Sequence, residues 1–538
     1  MTPTTRRGIF VLMVGLLFSC WAGGSHLAAQ TTQSGGSPPE VNNFPISPAP
    51  DPSMFSPEAR RTAFGQSLVL RMDRIIADPA HSLMAWLAQT NFVPYTSEGA
   101  LHLNLALYTT GDQPKLVKNI GQTLIFGGDL GKLPFPVSIN LSGVSDGDYQ
   151  YSAEVRDGDV LLKSFQISVK LMNGLDAKQA DFEQRLVKID GHDGAKAAIR
   201  YPFDLARVIN AGKRVFGSND ANPEFGLGQT GKPTLYDFTA GLKKSADLLS
   251  ALESGKDLLW RAGGDSVQYY YMPEADEILP YHVFVPSTWD GKSPLPLVFI
   301  LHGNSRDQDF YFDRDGHIIP QTAEKHGYML VAPMGYSPNG GYNYVPYGRP
   351  ASGPRGVAGA TATPQYFGPL DTTPVATGGR GARGGRPTGY GGVNGSVTPQ
   401  LVRSEWSEQD AMHVFDLIKQ EYPIDPKRTF LFGYSAGGQG SHYLGPKYAE
   451  YWAAIAIGGS NAMPGNNYPF DRLKSTPMMI FYGSADPANN APSHAMVQAL
   501  QQNGINAILK EYPGADHDGT PSAATADIFD FFDAHPRK

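Results

Sequence analysis

A single serine placed between glycines constrains the fold of this chain more than any other feature. Ser435 is the centre of the pentapeptide Gly-Tyr-Ser-Ala-Gly at 433–437, after the apolar run 429–432 and before a stretch able to start a helix. Glycines suit such a strand-to-helix turn, because the turn strains the central residue and brings neighbouring chain too close for a Cβ. The pattern predicts a nucleophile elbow that exposes Ser435 beside the N–H groups of the next helix.

A serine hydroxyl becomes a good nucleophile only when a base takes its proton, so the elbow predicts a histidine and a carboxylate downstream. Asp486 follows the buried-strand pattern 478–483, and His517 follows a shorter strand and a Pro/Gly turn. We predict Ser435 as the nucleophile, His517 as general base and then acid, and Asp486 as the group that holds the imidazolium.

Four other carboxylates compete for the role predicted for Asp486. Asp516 and Asp518 flank the histidine, but adjacent residues rarely bend back to orient their neighbour's ring. Asp471 lies just before a strand and fits a loop, whereas Asp410 precedes the nucleophile and fits the start or cap of a helix. Asp486 is therefore the preferred candidate.

An oxyanion formed at Ser435 would need two N–H donors in fixed places. Ala436, directly after the nucleophile, would supply one of them. The other would come from Asn304, because Gly303 allows a tight bend after the apolar strand 296–301. We interpret His302 as a structural residue of this turn.

The motifs at 301–304, 433–438, 482–487 and 516–517 resemble those of the α/β-hydrolases, and the resemblance covers about residues 265–538. The region is similar to feruloyl and acetylxylan esterases, polyhydroxybutyrate depolymerases and the hydrolase domain of prolyl oligopeptidases. The resemblance implies a serine esterase that works through an acyl-enzyme. Many depolymerase-type relatives carry a cysteine where this chain has Asn304, which weakens a polyester assignment.

The order of apolar runs independently predicts an α/β fold with a mostly parallel eight-stranded sheet. Most of the runs are short and lack alternation, as in strands buried on both faces, and helical segments separate the later ones. The first two runs form an antiparallel pair. The predicted strands are 267–272, 281–285, 297–301, 328–332, 429–433, 453–457, 478–481 and 507–511.

The chain before this region divides into segments of different composition. We expect a helical segment at 56–97, a small immunoglobulin-like β-sandwich at 98–172 and a helical connector at 173–264. The sandwich prediction depends on several β-rich runs separated by turn signals, of which Asp157-Gly158-Asp159 joins two alternating runs as a hairpin.

The N-terminus predicts export, which places the protein outside the cell or in the periplasm. Arg6-Arg7 precede the apolar run 8–18, and small residues end at Ala29, as in a secretory signal peptide covering 1–29. Residues 30–55 read as a flexible spacer.

Cys20 is the only cysteine in the sequence, so no disulfide forms within the mature monomer. The residues around Cys20 resemble a lipoprotein cleavage site. Lipid attachment at Cys20 is the alternative to cleavage near Ala29.

Residues 337–398 are dense in Gly, Pro, Tyr and Arg and predict a lid-like insertion on the sheet edge that carries active-site loops. Arg-Gly-rich composition can also indicate nucleic-acid binding. The net charge of −7 argues against that partner in an exported protein, and we expect no nucleic acid.

An acidic cluster at Asp307, Asp309, Asp313 and Asp315 invites a calcium interpretation. Its spacing lacks the glycine and terminal glutamate of an EF-hand loop, and the interleaved Arg and aromatic residues favour an ion-paired helix start. We predict no metal and no cofactor, since P-loop and dinucleotide fingerprints are also missing from the sequence.

These observations predict a secreted serine hydrolase that cleaves carboxylic esters of small molecules, polysaccharides or polyesters. One alternative is a peptidase of prolyl-oligopeptidase type, although no propeller-like repeat precedes the hydrolase region. Another is a cell-surface binding protein with the hydrolase domain as scaffold, which would not need an intact Ser, Asp and His. The sequence is compatible with association with the cell surface through a lipid at Cys20 or through the sandwich. It is also compatible with a homo-oligomer.

Overall fold

The computed structural model describes residues 56–89, 95, 101–125, 135–211, 236–304, 306–337, 340–344, 404–465 and 467–538. The predicted signal peptide, Cys20 and the spacer lie outside these residues, as does the lid-like insertion from residue 345 onward. No helix among the described residues is both long enough and apolar enough to cross a membrane.

The first part of the described chain is helix α1 (Pro57–Ser67) followed by two small sheets. Their strands are β1 (Leu68–Met72), β2 (Ile76–Ala77), β3 (Leu83–Gln89), β4 (Leu101–Thr109), β5 (Leu116–Ile125), β6 (Phe135–Ile139), β7 (Gly147–Asp157) and β8 (Val160–Leu171). One sheet has the order β1-β3-β6 and the other β2-β8-β7-β4-β5, and all pairs except β2 with β8 are antiparallel. Alternate residues of β4 and β7 are buried, and both sheets contribute to one hydrophobic cluster.

The helical segment predicted at 56–97 is wrong after Ser67. Helix α1 gives way to β1 and β3, which pair with each other and, through β3, with β6. Short apolar runs fit a helical and an extended period equally well, so the pairing partner decides between them. Strand β3 has one partner nearby, β1, and a second, β6, which begins almost fifty residues later at Phe135, beyond the reach of a local pattern.

Three helices follow the small sheets: α2 (Leu175–Leu186), α3 (Asp193–Asn210) and α4 (Phe238–Glu253). All three lie within the helical connector predicted at 173–264. A carboxylate oxygen of Asp204 on α3 accepts the backbone N–H of Ile278 at 2.7 Å. Tyr269 and Ile278 belong to the same hydrophobic cluster as the small sheets, so this core extends onto the next sheet of the chain.

The larger sheet has eight strands, as predicted. They are β9 (Gly264–Met272), β10 (Glu277–Val285), β11 (Leu295–Leu301), β12 (Met329–Pro333), β13 (Ile424–Tyr434), β14 (Ala454–Gly458), β15 (Met478–Gly483) and β16 (Ala507–Tyr512). Their order is β16-β15-β14-β13-β11-β12-β10-β9, with β10 antiparallel to both neighbours and the other pairs parallel. The α/β prediction is confirmed, and each predicted strand overlaps an observed one, although several observed strands begin earlier, most of all β13, which begins at Ile424 rather than at residue 429.

Helices connect the parallel strands and cover the sheet. They are α5 (Phe310–Asp313), α6 (Ile318–His326), α7 (Ser404–Glu421), α8 (Ala436–Lys447), α9 (Pro487–Gln502) and α10 (Thr520–Ala534). Because the carboxyl ends of parallel strands meet at one edge of a sheet, the loops after β11, β13, β15 and β16 lie at the same edge. Every site residue predicted from sequence lies at or next to one of these loops.

Candidate active site

The nucleophile elbow is formed by the turn between β13 and α8. Ser435 has φ 59° and ψ −119°, a strained conformation for a residue with a side chain. A Cβ on Gly433 would lie 2.2 Å from the carbonyl oxygen of Gly437, and one on Gly437 would lie 2.0 Å from that of Leu301. Both glycines are therefore required by close backbone approach, as the sequence pattern predicted.

Ser435, His517 and Asp486 lie in a continuous hydrogen-bonded row. His517 Nε2 is 3.0 Å from Ser435 Oγ, and His517 Nδ1 is 2.6 Å from Asp486 Oδ2. With the imidazole proton on Nδ1, the ring donates to the carboxylate and can accept the serine proton on Nε2. The Asp486 side chain is 9% exposed and that of His517 is 43% exposed, so the carboxylate is shielded while the base faces solvent.

Asn489 is a member of this row that the sequence analysis missed. Its Nδ2 donates to Asp486 Oδ2 at 2.6 Å, and the residue is buried. Asp486 precedes α9 directly, so Asn489, three residues later, lies in the first turn of the helix beside it. That spacing was a usable signal, because a buried carboxylate commonly needs a second donor.

The other carboxylates considered from sequence have different partners. Asp410 does not start or cap a helix: it lies inside α7, fully buried, and accepts from Tyr270 Oη at 2.7 Å and the Tyr336 N–H at 2.6 Å. The remaining three contact other groups, namely the Gly519 N–H for Asp516 (2.7 Å), Arg306 for Asp518 (3.6 Å) and Lys474 for Asp471 (2.9 Å).

The turn formed by residues 302–304, here called the oxyanion turn, lies against the elbow. A Cβ built on Gly303 would lie 3.3 Å from Ser435 Cβ and 3.8 Å from Ser435 Oγ. Asn304 follows directly and is exposed, and Ala436 is the first residue of α8, where helix geometry leaves its N–H without an intrahelical partner. The structure thus brings the two predicted donor residues to the same end of the sheet as Ser435.

His302 is buried behind the oxyanion turn. Its Nε2 lies 2.7 Å from the carbonyl oxygen of Met334 and its Nδ1 lies 2.9 Å from that of Gly303. Burial lowers the pKa of His302, while the hydrogen bonds to the two carbonyl oxygens oppose this effect. Its backbone N–H donates to Tyr342 Oη at 3.0 Å. These contacts favour the structural role predicted for His302.

Aromatic and cationic side chains surround the row on the His517 side. The Tyr434 ring lies 5.1 Å from the His517 ring, centre to centre, and burial raises the pKa of the Tyr434 hydroxyl. The Arg306 and Arg314 guanidinium groups lie 4.5 and 4.9 Å from the centre of the Phe310 ring. Such cation–π contacts fix the segment that follows the oxyanion turn.

The predicted acidic cluster forms an ion-paired segment around α5, with one partner that the sequence analysis missed. His282 on β10 is 5% exposed, and its ring nitrogens contact Asp265 and Asp309, the latter at 2.7 Å. Burial alone would lower the pKa of His282, but the hydrogen bonds to Asp265 and Asp309 outweigh it and raise the pKa to about 9. The His282 ring also stacks on Phe312 at 3.8 Å.

One group of side chains has a geometry compatible with a metal ion. Ligand atoms of His326, Asp530 and Asp533 lie within 4.8 Å of one another on α6 and α10. His326 Nδ1 is already 2.6 Å from Asp533 Oδ2, and Tyr328 Oη donates to the same carboxylate at 2.7 Å. These contacts join His326, Tyr328 and Asp533 in a surface hydrogen-bond network.

Comparison with protein families gives a match to a model of the dienelactone hydrolase family over residues 397–523. This span, less than half of the chain, contains Ser435, Asp486 and His517. No curated protein matches the sequence.

Solved structures to which this chain is similar include the fluorophosphonate-binding serine hydrolase FphF of Staphylococcus aureus (14% identity, TM-score 0.33, covering 51% of this chain and 98% of that one). A thermostable esterase is 14% identical with a TM-score of 0.34 and covers 87% of this chain and 100% of its own. The ferulic acid esterase of Anaeromyces mucronatus is 17% identical with a TM-score of 0.33 and covers 50% of this chain and 90% of its own. The family-model match and the strand order agree with the motifs, and the C-terminal half of this chain has an α/β-hydrolase-like fold.

Proposed function

We propose that this chain is a serine hydrolase that cleaves carboxylic esters through an acyl-enzyme. The observation that carries the proposal is the row Ser435–His517–Asp486, with spacings of 3.0 and 2.6 Å, at a strained elbow. A fold does not by itself require a serine in this conformation to face a histidine backed by a buried carboxylate. The resemblance to feruloyl and acetylxylan esterases suggests aromatic or short acyl groups as the first substrates to test.

In the acylation step, Ser435 Oγ attacks the ester carbonyl while His517 Nε2 takes the serine proton. The carbonyl oxygen becomes an oxyanion, which the backbone N–H groups of Asn304 and Ala436 stabilise. Asp486, held by Asn489, keeps the imidazole in the required tautomer and stabilises the imidazolium. The intermediate then collapses, the C–O bond to the alcohol breaks, and His517 gives its proton to the departing alkoxide.

Deacylation repeats the sequence with water as the nucleophile. His517 removes a proton from water, hydroxide adds to the acyl carbon, and the same two N–H groups stabilise the second oxyanion. Collapse breaks the bond to Ser435 Oγ, which recovers its proton from His517. The products are a carboxylic acid and an alcohol, and the enzyme returns to its starting state.

The test is hydrolysis of p-nitrophenyl butyrate and methyl ferulate by the mature chain and by Ser435→Ala. We expect turnover to fall at least about a hundredfold in the variant. Ser493→Ala is a matched control, because Ser493 is a buried serine on α9 whose hydroxyl has no hydrogen-bond partner among the described residues. Its turnover should equal that of the unaltered protein.

Other outcomes would favour the two alternatives. Cleavage of peptide p-nitroanilides without ester turnover would indicate a peptidase of prolyl-oligopeptidase type. A folded protein that turns over neither substrate class, and whose Ser435 is not labelled by a fluorophosphonate, would indicate a binding protein that uses the domain as scaffold. Equal ester turnover in Ser435→Ala would show that the nucleophile is misassigned.

We also propose that the protein acts outside the cytoplasm after removal of residues 1–29. The support is sequence composition alone: paired arginines, an apolar run and small residues near Ala29. Mass spectrometry of the exported chain would give an N-terminus near Gln30, whereas a diacylated N-terminal Cys20 would indicate lipid anchoring. A chain that retains Met1 would contradict both.

For the region before the connector helices, we propose an immunoglobulin-like β-sandwich. The support is a pair of small sheets with a common hydrophobic cluster. An experimental structure with a different strand arrangement would contradict the immunoglobulin-like assignment.

A further inference from the structure

We propose that Tyr342 is a positioning residue that fixes the oxyanion turn and the start of α8 relative to each other. The inference depends on the proposed esterase function, because it concerns the donors that would stabilise the oxyanion. Tyr342 lies outside the predicted catalytic set and forty residues after the turn that it contacts.

The first contact is a hydrogen bond to the turn itself. The backbone N–H of His302 donates to Tyr342 Oη at 3.0 Å, and Tyr342 is 1% exposed. His302 directly follows β11 and precedes Gly303 and Asn304, so this bond holds the residue at which the chain leaves the strand. The Tyr342 ring also lies 5.6 Å from the His302 imidazole, centre to centre.

The second contact is with the helix that begins after the nucleophile. A Cβ on Gly440, in α8, would lie 2.6 Å from Tyr342 Cδ2, so the ring lies directly on the helix backbone. A Cβ on Gly335 would similarly lie 3.0 Å from Tyr342 Cε1. One rigid ring thus contacts the two elements that carry the predicted donors: the oxyanion turn with Asn304, and α8 with Ala436.

Tyr342 is itself held in an unusual conformation. Its φ is 54°, a left-handed value that is costly for an aromatic residue, and its neighbour Asn343 has φ 61°. The Tyr342 N–H donates to the buried Ser407 Oγ at 2.9 Å, and Asn343 Nδ2 donates to the buried Glu408 at 2.8 Å. Both partners lie on α7, which therefore anchors the strained segment to the sheet.

The consequence for catalysis follows from the geometry of oxyanion stabilisation. Two N–H groups on separate elements must be correctly placed before charge develops, since their benefit depends on requiring no rearrangement during the reaction. Removal of the Tyr342 hydroxyl would leave the His302 N–H buried and unpaired, which favours a shift of the turn. Substrate binding would be affected less than the transition state.

The test is Tyr342→Phe, which retains the ring and removes only the hydroxyl. We expect kcat for p-nitrophenyl butyrate to fall about tenfold with KM within about twofold of the unaltered value. Tyr422→Phe is the matched control, because Tyr422 is equally buried but its hydroxyl has no partner among the described residues. Unchanged kcat in Tyr342→Phe, or a loss confined to KM, would overturn the proposal.

Amide hydrogen exchange separates failure of this inference from failure of the proposed function. We expect the peptide covering 297–304 to exchange faster in Tyr342→Phe than in Tyr422→Phe, with thermal unfolding near that of the unaltered protein. If the unaltered protein hydrolyses no ester, the esterase proposal fails and exchange alone decides whether Tyr342 fixes the turn. Equal exchange at 297–304 in the two variants would show that it does not.

Discussion

The row of Ser435, His517 and Asp486 and the oxyanion turn face each other across one site, but they are held in different ways. The row consists of side chains that contact one another directly, at 3.0 and 2.6 Å. The turn presents backbone groups, and distant residues hold it: Tyr342 at the His302 N–H, Met334 at the His302 ring, and the elbow backbone beneath. The geometry of the row therefore depends on the identity of its three side chains, whereas the geometry of the turn depends on the packing of residues around it.

This difference predicts two kinds of response to mutation. A change in the row removes a chemical function, so it should reduce kcat by orders of magnitude with little effect on folding. A change around the turn shifts a donor by a fraction of an ångström, so its effect should be smaller and graded. Each of the following experiments tests one side of this comparison.

The largest effect is expected from Asp486→Asn, which keeps the shape of the side chain and removes its charge. The amide would favour the wrong His517 tautomer and would not stabilise the imidazolium, so kcat should fall by about 10⁴. Asp471→Asn is the control, because Asp471 is exposed and pairs only with Lys474 in the described contacts. A kcat loss below about tenfold in Asp486→Asn would remove Asp486 from the row.

A smaller loss is expected when a methyl group is added beside the nucleophile. In Gly303→Ala, the new Cβ would lie 3.3 Å from Ser435 Cβ and 3.5 Å from the Tyr434 carbonyl oxygen, so the turn must shift slightly. We expect kcat to fall about 10- to 100-fold with the fold retained. Gly263→Ala is the control, because its new Cβ would have open space around it, and its kcat should equal that of the unaltered protein. If both variants have normal kcat, the turn does not need a glycine at 303.

The smallest effect is expected from His282, which contacts the segment that follows the oxyanion turn. We expect a change in the stability of the fold rather than in kcat. The folded-state pKa of His282, about 9, exceeds the ordinary value of 6.5, so its charge stabilises the fold fully below pH 6.5. That contribution is lost as pH rises through 9. The free energy of unfolding of His282→Gln should be lower than that of the unaltered protein by about 2 kcal/mol at pH 6. The difference should disappear near pH 10, and a constant difference from pH 6 to 10 would contradict the assignment.

The sequence predicted the parts of the site that are local in the chain. The elbow glycines, the order Ser435, Asp486, His517 and the eight strands of the larger sheet all follow from short motifs and apolar runs. The role of Asn489 could also have been predicted, since it lies three residues after Asp486. Tyr342 and His282 were not, because their roles depend on contacts across 40 and 27 residues that no local pattern encodes.

Pairing that is remote in sequence explains the error in the N-terminal half. Strands β1 and β3 were taken for a helical segment because their short apolar runs fit either period, and one partner of β3, strand β6, is remote in sequence. Helix α3 lies within the predicted helical connector, and its eleven buried residues mark an apolar face. For β1 and β3, tertiary packing rather than local propensity decides the structure.

The hydrophobic cluster that includes Tyr269 and Ile278 has a consequence for how the molecule can be divided. β9 is the edge strand of the larger sheet, and α3 lies against it through Tyr201, whose ring is 4.6 Å from that of Tyr269, centre to centre. A hydrolase fragment that starts at residue 264 would leave apolar side chains and an unprotected strand edge in water, which are the features that drive aggregation. The ribosome makes α3 before β9, so the cover for this edge is already present when the sheet begins to form.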